Sequence, residues 1–196
     1  AVTGTSSFTT SASDADITLS NTGNAFASAV TLSTTGSTAH ATIDNGTTTL
    51  DIAASSVGGN LTLISGHASG ITDSGNVTVG GDLVATTNAN NGVINMGTLR
   101  VDGSVALTTN GNGAATVVND NGLTFAASTV RGALTATATA GNITQDAAVA
   151  VTGTSSFTTS ASDADITLSN TGNAFASAVT LSTTGSTAHA TIDNGT

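Results

Sequence analysis

Residues Ala1 to Thr47 recur without change as Ala150 to Thr196, so the chain repeats itself with a period of 149 residues. Any fold it adopts must accept the same 47-residue segment at two places. Long-period identity of this kind belongs to arrays and solenoids, in which one structural unit stacks on the next. Residues 1–149 form one full repeat and 150–196 the start of an identical one. Beginning at Ala1 without Met, the sequence reads as a window on a longer tandem array.

A fainter repeat lies inside the long one. LDIAASSVGGNLTL (Leu50 to Leu63) resembles LTFAASTVRGALTA (Leu123 to Ala136), which begins about half a period later. Smaller units follow from short apolar segments whose last members fall at positions 2, 26, 52, 79, 101, 125, 151 and 175. Six of these units fill one 149-residue period. Within each unit, apolar residues alternate with Thr, Ser, Asn or Asp, as in Ile17-Thr18-Leu19 and Leu61-Thr62-Leu63. Period-2 alternation marks strands with one buried face. Asn-Gly, Gly-Gly and Ser-Gly pairs between them supply turns.

Three short strands and three turns in about 25 residues describe one coil of a parallel β-helix, each coil rising about 4.8 Å onto the one below. The expected fold is all-β: one continuous solenoid over residues 1–196, about eight coils of 22–27 residues with three short strands each. Phe26, Ile52, Val79, Val101, Phe125, Val151 and Phe175 are expected to stack as one inward ladder along the axis, and all five Phe to point inward. Pro is absent, as a chain requires when every strand pairs on both sides and needs its N–H. An antiparallel sandwich also shows evenly spaced strands, but it has no need of a coil-length repeat.

GNLTL (Gly59 to Leu63), GNITQ (Gly141 to Gln145) and the phrases VTGTSSFTT, ADITLSNTGNAF and TVRGALTATA resemble the repeats of giant filamentous-haemagglutinin-type bacterial surface proteins. The resemblance implies a right-handed parallel β-helix, export by two-partner secretion, and an extracellular or cell-surface location.

Charge narrows the function classes. Twelve Asp against two Arg, with no Glu or Lys, give a net charge of −10. Two Arg cannot supply the cationic footprint that nucleic acid requires. Without Cys there is no disulfide scaffold and no thiolate zinc site. No apolar run reaches the roughly 18 residues of a membrane-spanning helix.

The polar residues form no catalytic constellation, and neither an enzyme nor a cofactor is expected. Asp14 and Asp16, repeated as Asp163 and Asp165, are the nearest paired carboxylates. They are expected to be exposed turn residues, and they are also the candidates for a calcium ion, which takes carboxylate oxygens. Arg100, between inward Leu99 and Val101, should point outward beside Asp102 as a surface ion pair. Arg131, His40, His67 and His189 are expected in turns or loops. The chain is thus expected to be a structural segment of a long adhesin-like filament, its partners being neighbouring repeats of the same chain and, beyond them, other filaments or cell surfaces. The alternative is an ice-binding or self-assembling fibre or sheath protein, using Thr-rich faces or open coil ends. For ice, the Thr-x-Thr pairs such as Thr3 to Thr5 and Thr135 to Thr139 are not expected to fall at one phase of the coil.

Overall fold

The computed structural model describes residues 1–195. They form 23 strands and no helix. Every strand pairing is parallel, and the strands sort into one sheet of eleven and one of twelve. The first sheet runs from Ser6–Ser13 to Val179–Thr184, the second from Ile17–Leu19 to Ala190–Ile192. The chain alternates between them, so each turn lays a strand on both. The fold is a parallel β-solenoid. Most turns carry three strands, as in Ser155–Ser162, Ile166–Leu168 and Ala174–Phe175. The turn of Val30–Thr35 and Ala41–Asp44 has two, and so does that of Ile94–Val101 and Ser104–Asn110, where Ile94–Val101 spans two short strands of the turn below.

Backbone register gives the length of a turn. On the first sheet Ser6 pairs with Val30 and Val30 with Ile52; Leu50 of that turn pairs with Ile71, followed by Ile94, Ala115, Leu134, Ser155 and Val179. Ser6 thus reaches its own copy, Ser155, in seven turns, and the expectation of six units per repeat is corrected. The shortest advance is from Ala115 to Leu134 and the longest from Ser6 to Val30. With seven turns sharing the period instead of six, the average turn is shorter than the expected coil.

The miscount also breaks the expected ladder. All seven of its residues are buried, but they do not form one column. Val79 pairs with Val101, and Val151 with Phe175. Phe26 pairs with Val2, Ile52 lies between Val30 and Asp73, and Phe125 lies between Val105 and Gln145. The series begins at a corner, continues on the first sheet and ends on the second. Apolar doublets look alike on both sheets, because both have the same period of two and bury one face.

The half-repeat has a geometric meaning. Leu50–Ile52 and Ser55–Val57 lie on the first sheet, whereas their counterparts Leu123–Phe125 and Ser128–Val130 lie on the second. Half of seven turns carries a motif to the opposite face. The local chemistry travels with it. Ser55 Oγ accepts the Leu32 N–H at 3.0 Å and donates to the Ala53 carbonyl at 2.8 Å. Ser128 Oγ does the same with Leu107 at 3.1 Å and Ala126 at 2.9 Å. In each case a hydroxyl bridges the bend between two short strands.

Val, Leu, Ile, Ala and Phe from both sheets fill the interior. Phe125, Phe157 and Phe175 meet edge to face, with ring centroids 6.0 and 5.8 Å apart, the arrangement that aromatic quadrupoles favour. Phe8 and Phe26 do likewise at 5.5 Å; Phe8 is only partly buried. Buried Thr34, Thr87, Thr109 and Thr159 each donate to a carbonyl four or five residues on, closing a corner. Gly70 is dictated by its conformation: it has φ +63°, and a Cβ there would collide with the Val93 carbonyl oxygen.

Asn45 and Asn119, both fully buried, replace a strand with a side chain. Asn119 Oδ1 accepts the Val101 N–H at 2.7 Å, and its Nδ2 donates to the Val101 carbonyl at 3.0 Å and the Gly122 carbonyl at 2.6 Å. Asn45 holds Phe26 in the same way, at 2.8 and 3.1 Å. Replacing Asn119 by Leu leaves both backbone groups of Val101 buried and unpaired. Such groups cost about 1–3 kcal/mol each, so Asn119→Leu is expected to lower stability in urea by on the order of 3 kcal/mol. Asn112→Ala, at an exposed turn, should stay within about 0.5 kcal/mol.

Candidate functional site

Asp14, Asp16 and His40, with their copies Asp163, Asp165 and His189, occupy one corner of the solenoid, just before the second sheet. The residue preceding the first strand position reaches one turn upward. Asp16 Oδ1 accepts the His40 N–H at 2.7 Å, His40 Nδ1 accepts the Asn60 N–H at 2.9 Å, Asn60 Oδ1 accepts the Asp82 N–H at 2.9 Å, and Asp82 Oδ1 accepts the Ser104 N–H at 2.8 Å. Higher up, Asn142 accepts from Asp165, and Asp165 from His189, at 2.8 and 2.7 Å. Each side chain satisfies a backbone donor that has left the sheet, extending the ladder round the bend. His40 is therefore the tautomer that carries its hydrogen on Nε2. The residues were visible in sequence, but nothing there connected them, because each partner lies a full turn of chain away.

The calcium candidates belong to this arrangement. Asp14, with φ 60°, accepts the Thr38 N–H at 3.1 Å and the Ser13 hydroxyl at 3.0 Å. Its copy Asp163 does the same with Thr187 and Ser162. Asp14 and Asp16, like Asp163 and Asp165, are each directed to a separate backbone N–H. No group of three or more Asp or His suited to a metal ion occurs among the described residues.

Arg100 points outward, its Nε 3.9 Å from Asp102 Oδ1, with both side chains about half exposed. Such a pair contributes about 0–1 kcal/mol. Arg131 lies in the turn after Ser128–Val130, its backbone N–H donating to Thr109 Oγ1 at 2.9 Å. His67 Nδ1 accepts the Ser69 N–H at 3.0 Å within its loop.

Beside Arg100 the first sheet is irregular. Met96 pairs with Val117 and Leu99 with Asn119, so Gly97 and Thr98 together oppose Val118 alone. This is a β-bulge, a feature that bends a strand and re-aims its side chains. Asp73 holds the bulge from below, accepting the N–H groups of Gly97 and Thr98 at 2.9 and 2.8 Å. Above the bulge lies a cleft of about 320 Å³, with Gly97, Val118, Arg100, Asp120 and Asn76 in its lining. Sequence reading placed Arg100 outward but had no signal for the bulge, which depends on register against the neighbouring turn.

A repeat-family model described as "Repeats of unknown function (DUF5649)" matches residues 1–33, 38–95 and 112–182. The chain belongs to this family. The matched stretches take in strands of both sheets, including the half-repeat motif at Leu50 and its counterpart at Leu123. Neither a curated protein nor a solved structure matches the chain. No helix among the described residues is long and apolar enough to cross a membrane.

The corner carboxylates set the response to acid. The Thr38 backbone N–H holds Asp14 below the ordinary 3.8, the Thr187 N–H does so for Asp163, and the Ser104 N–H and hydroxyl do so for Asp82. For a lowered carboxyl the unfolded chain takes up its proton first, so the contribution is present above the ordinary value and is lost as pH falls through the folded one. The melting temperature should be level above about pH 5 and fall below about pH 4. Asp82→Asn, which keeps the acceptor but cannot titrate in this range, should reduce that fall in thermal circular dichroism.

Proposed function

We propose that the chain is a stalk segment of a long extracellular adhesin-like filament, a stiff rod that carries other regions of its protein toward surfaces or other cells. The observation that carries this reading is the whole number of turns in the sequence repeat. Seven turns return Ser6 to Ser155 on the same sheet, so successive repeats add in line and in phase. At about 4.8 Å per turn, each repeat adds about 34 Å of rod. Nine Asp and two Arg in residues 1–149 give every repeat the same negative sign, which favours solubility and opposes side-by-side association. The resemblance of VTGTSSFTT and its companion phrases to filamentous-haemagglutinin-type repeats supports a bacterial surface location and two-partner export. On this reading the segment is not an enzyme.

Chains of one, two and three repeats, viewed by electron microscopy, should lengthen by about 34 Å per repeat at constant width. Antiserum to the chain should label intact cells of its source. Globular particles, or labelling only after permeabilisation, would overturn the reading.

A second reading, ice binding, is favoured by one observation: although the Thr-x-Thr pairs at Thr3 to Thr5 and Thr135 to Thr139 do not share a phase, other hydroxyls align with Thr135 and Thr137. On the first sheet, outward Thr116, Thr135, Ser156 and Thr180 are register partners, and Thr137, Thr158 and Ser182 form a second column beside them. The hydroxyl pair at Thr135 and Thr137 is therefore continued on the next two turns, by Ser156 with Thr158 and by Thr180 with Ser182. A hydroxyl grid two residues wide repeats along the axis at the strand spacing. If it orders water as ice, micromolar protein should inhibit ice recrystallisation, and Thr135→Val with Thr137→Lys should abolish the effect.

A further inference from the structure

We propose that the cleft above the Gly97–Thr98 bulge is a binding site for one or two units of a neutral saccharide. The site is independent of the stalk reading, since it needs only the folded turn and its neighbours.

Three features point to this ligand class. The first is shape. A cleft of about 320 Å³ stands at the lower end of small-ligand sites, and it exists because Gly97 and Thr98 occupy the place of one residue. Gly97 has no positive φ, and a Cβ built on it meets nothing within 4 Å. The backbone therefore does not require glycine there, and the missing side chain leaves the cleft open.

The second feature is the distribution of donors and acceptors. Arg100 is a fork of donors whose nearest partner is the half-exposed Asp102 at 3.9 Å. Asp120 accepts the Thr139 hydroxyl through Oδ1 at 2.9 Å, which leaves its second oxygen for a ligand. Asn76, in the wall, offers both a donor and an acceptor. A guanidinium, a carboxylate and an amide round one small cleft suit vicinal hydroxyls, each of which donates and accepts. Val118 also lines the cleft and offers the C–H face of a sugar ring an apolar contact.

The third feature is charge. Arg100 has Asp102 3.9 Å away and shares the cleft lining with Asp120, in a chain of net charge −10, so an anionic sugar gains no net attraction. Gly97, Arg100, Val118 and Asp120 lie within the one full repeat, residues 1–149. In a tandem array the sites would recur on one face about every 34 Å, a spacing that converts weak single contacts into avidity.

The test is amide chemical-shift mapping of the whole isotope-labelled chain with cellobiose, maltose, lactose and chitobiose, and with digalacturonate as the acidic counterpart. At least one neutral disaccharide should shift the amides of Gly97, Thr98, Arg100 and Asp120. Gly97→Leu, which fills the cleft without backbone strain, should keep the wild-type melting curve and lose those shifts. Arg100→Met should weaken binding by about tenfold, the loss of a charge-assisted hydrogen bond. The proposal fails if no neutral disaccharide moves these amides, if Gly97→Leu binds as well as wild type, or if digalacturonate binds more tightly than the neutral sugars.

Discussion

The rest of the structure depends on parallel pairing of each turn with the turns above and below it. Within the sheets this pairing satisfies the backbone, and the strands that pair belong to different turns. A turn on its own has a hydrophobic face and two rows of open hydrogen-bonding groups. The side chains are consequently chosen to keep the ladder going where the backbone leaves it. At the corner before the second sheet Asp16, His40, Asn60 and Asp82 each hold a backbone N–H of the next turn. In the interior Asn45 and Asn119 each stand in for a missing strand. These amides and carboxylates look unrelated in sequence, but they serve one need.

Seven turns per repeat is the number that turns local pairing into a directional object. A half-repeat of three and a half turns places the Ser55 bend on one sheet and the Ser128 bend on the other. The rod is therefore similar on its two faces, with a stagger of half a repeat. The full repeat restores the same face, which is what a straight, extensible stalk requires. The bulge at Gly97 and Thr98 breaks this regularity at the point where two short strands merge into Ile94–Val101.

The sequence by itself determined the class of fold. Apolar alternation with a period of two, turn pairs at short intervals and an identical 47-residue segment leave little besides stacked parallel strands. Alternation also placed Phe125, Phe157 and Phe175 inside and Arg100 outside, since neighbours along a strand face opposite ways. These are local properties, written within a few residues of where they act.

Only the tertiary structure decided how many turns a repeat contains, which sheet each apolar doublet joins, and what Asn119 or His40 holds. A buried strand reads alike on either sheet, so counting doublets lost one turn in seven and merged separate columns into one supposed ladder. A hydrogen bond between turns joins residues a whole turn apart, as Asn45 with Phe26 and His40 with Asn60. No local pattern records that separation when the length of a turn changes from one to the next. The bulge follows the same rule: it is a mismatch between two neighbouring strands and has no existence in either one alone.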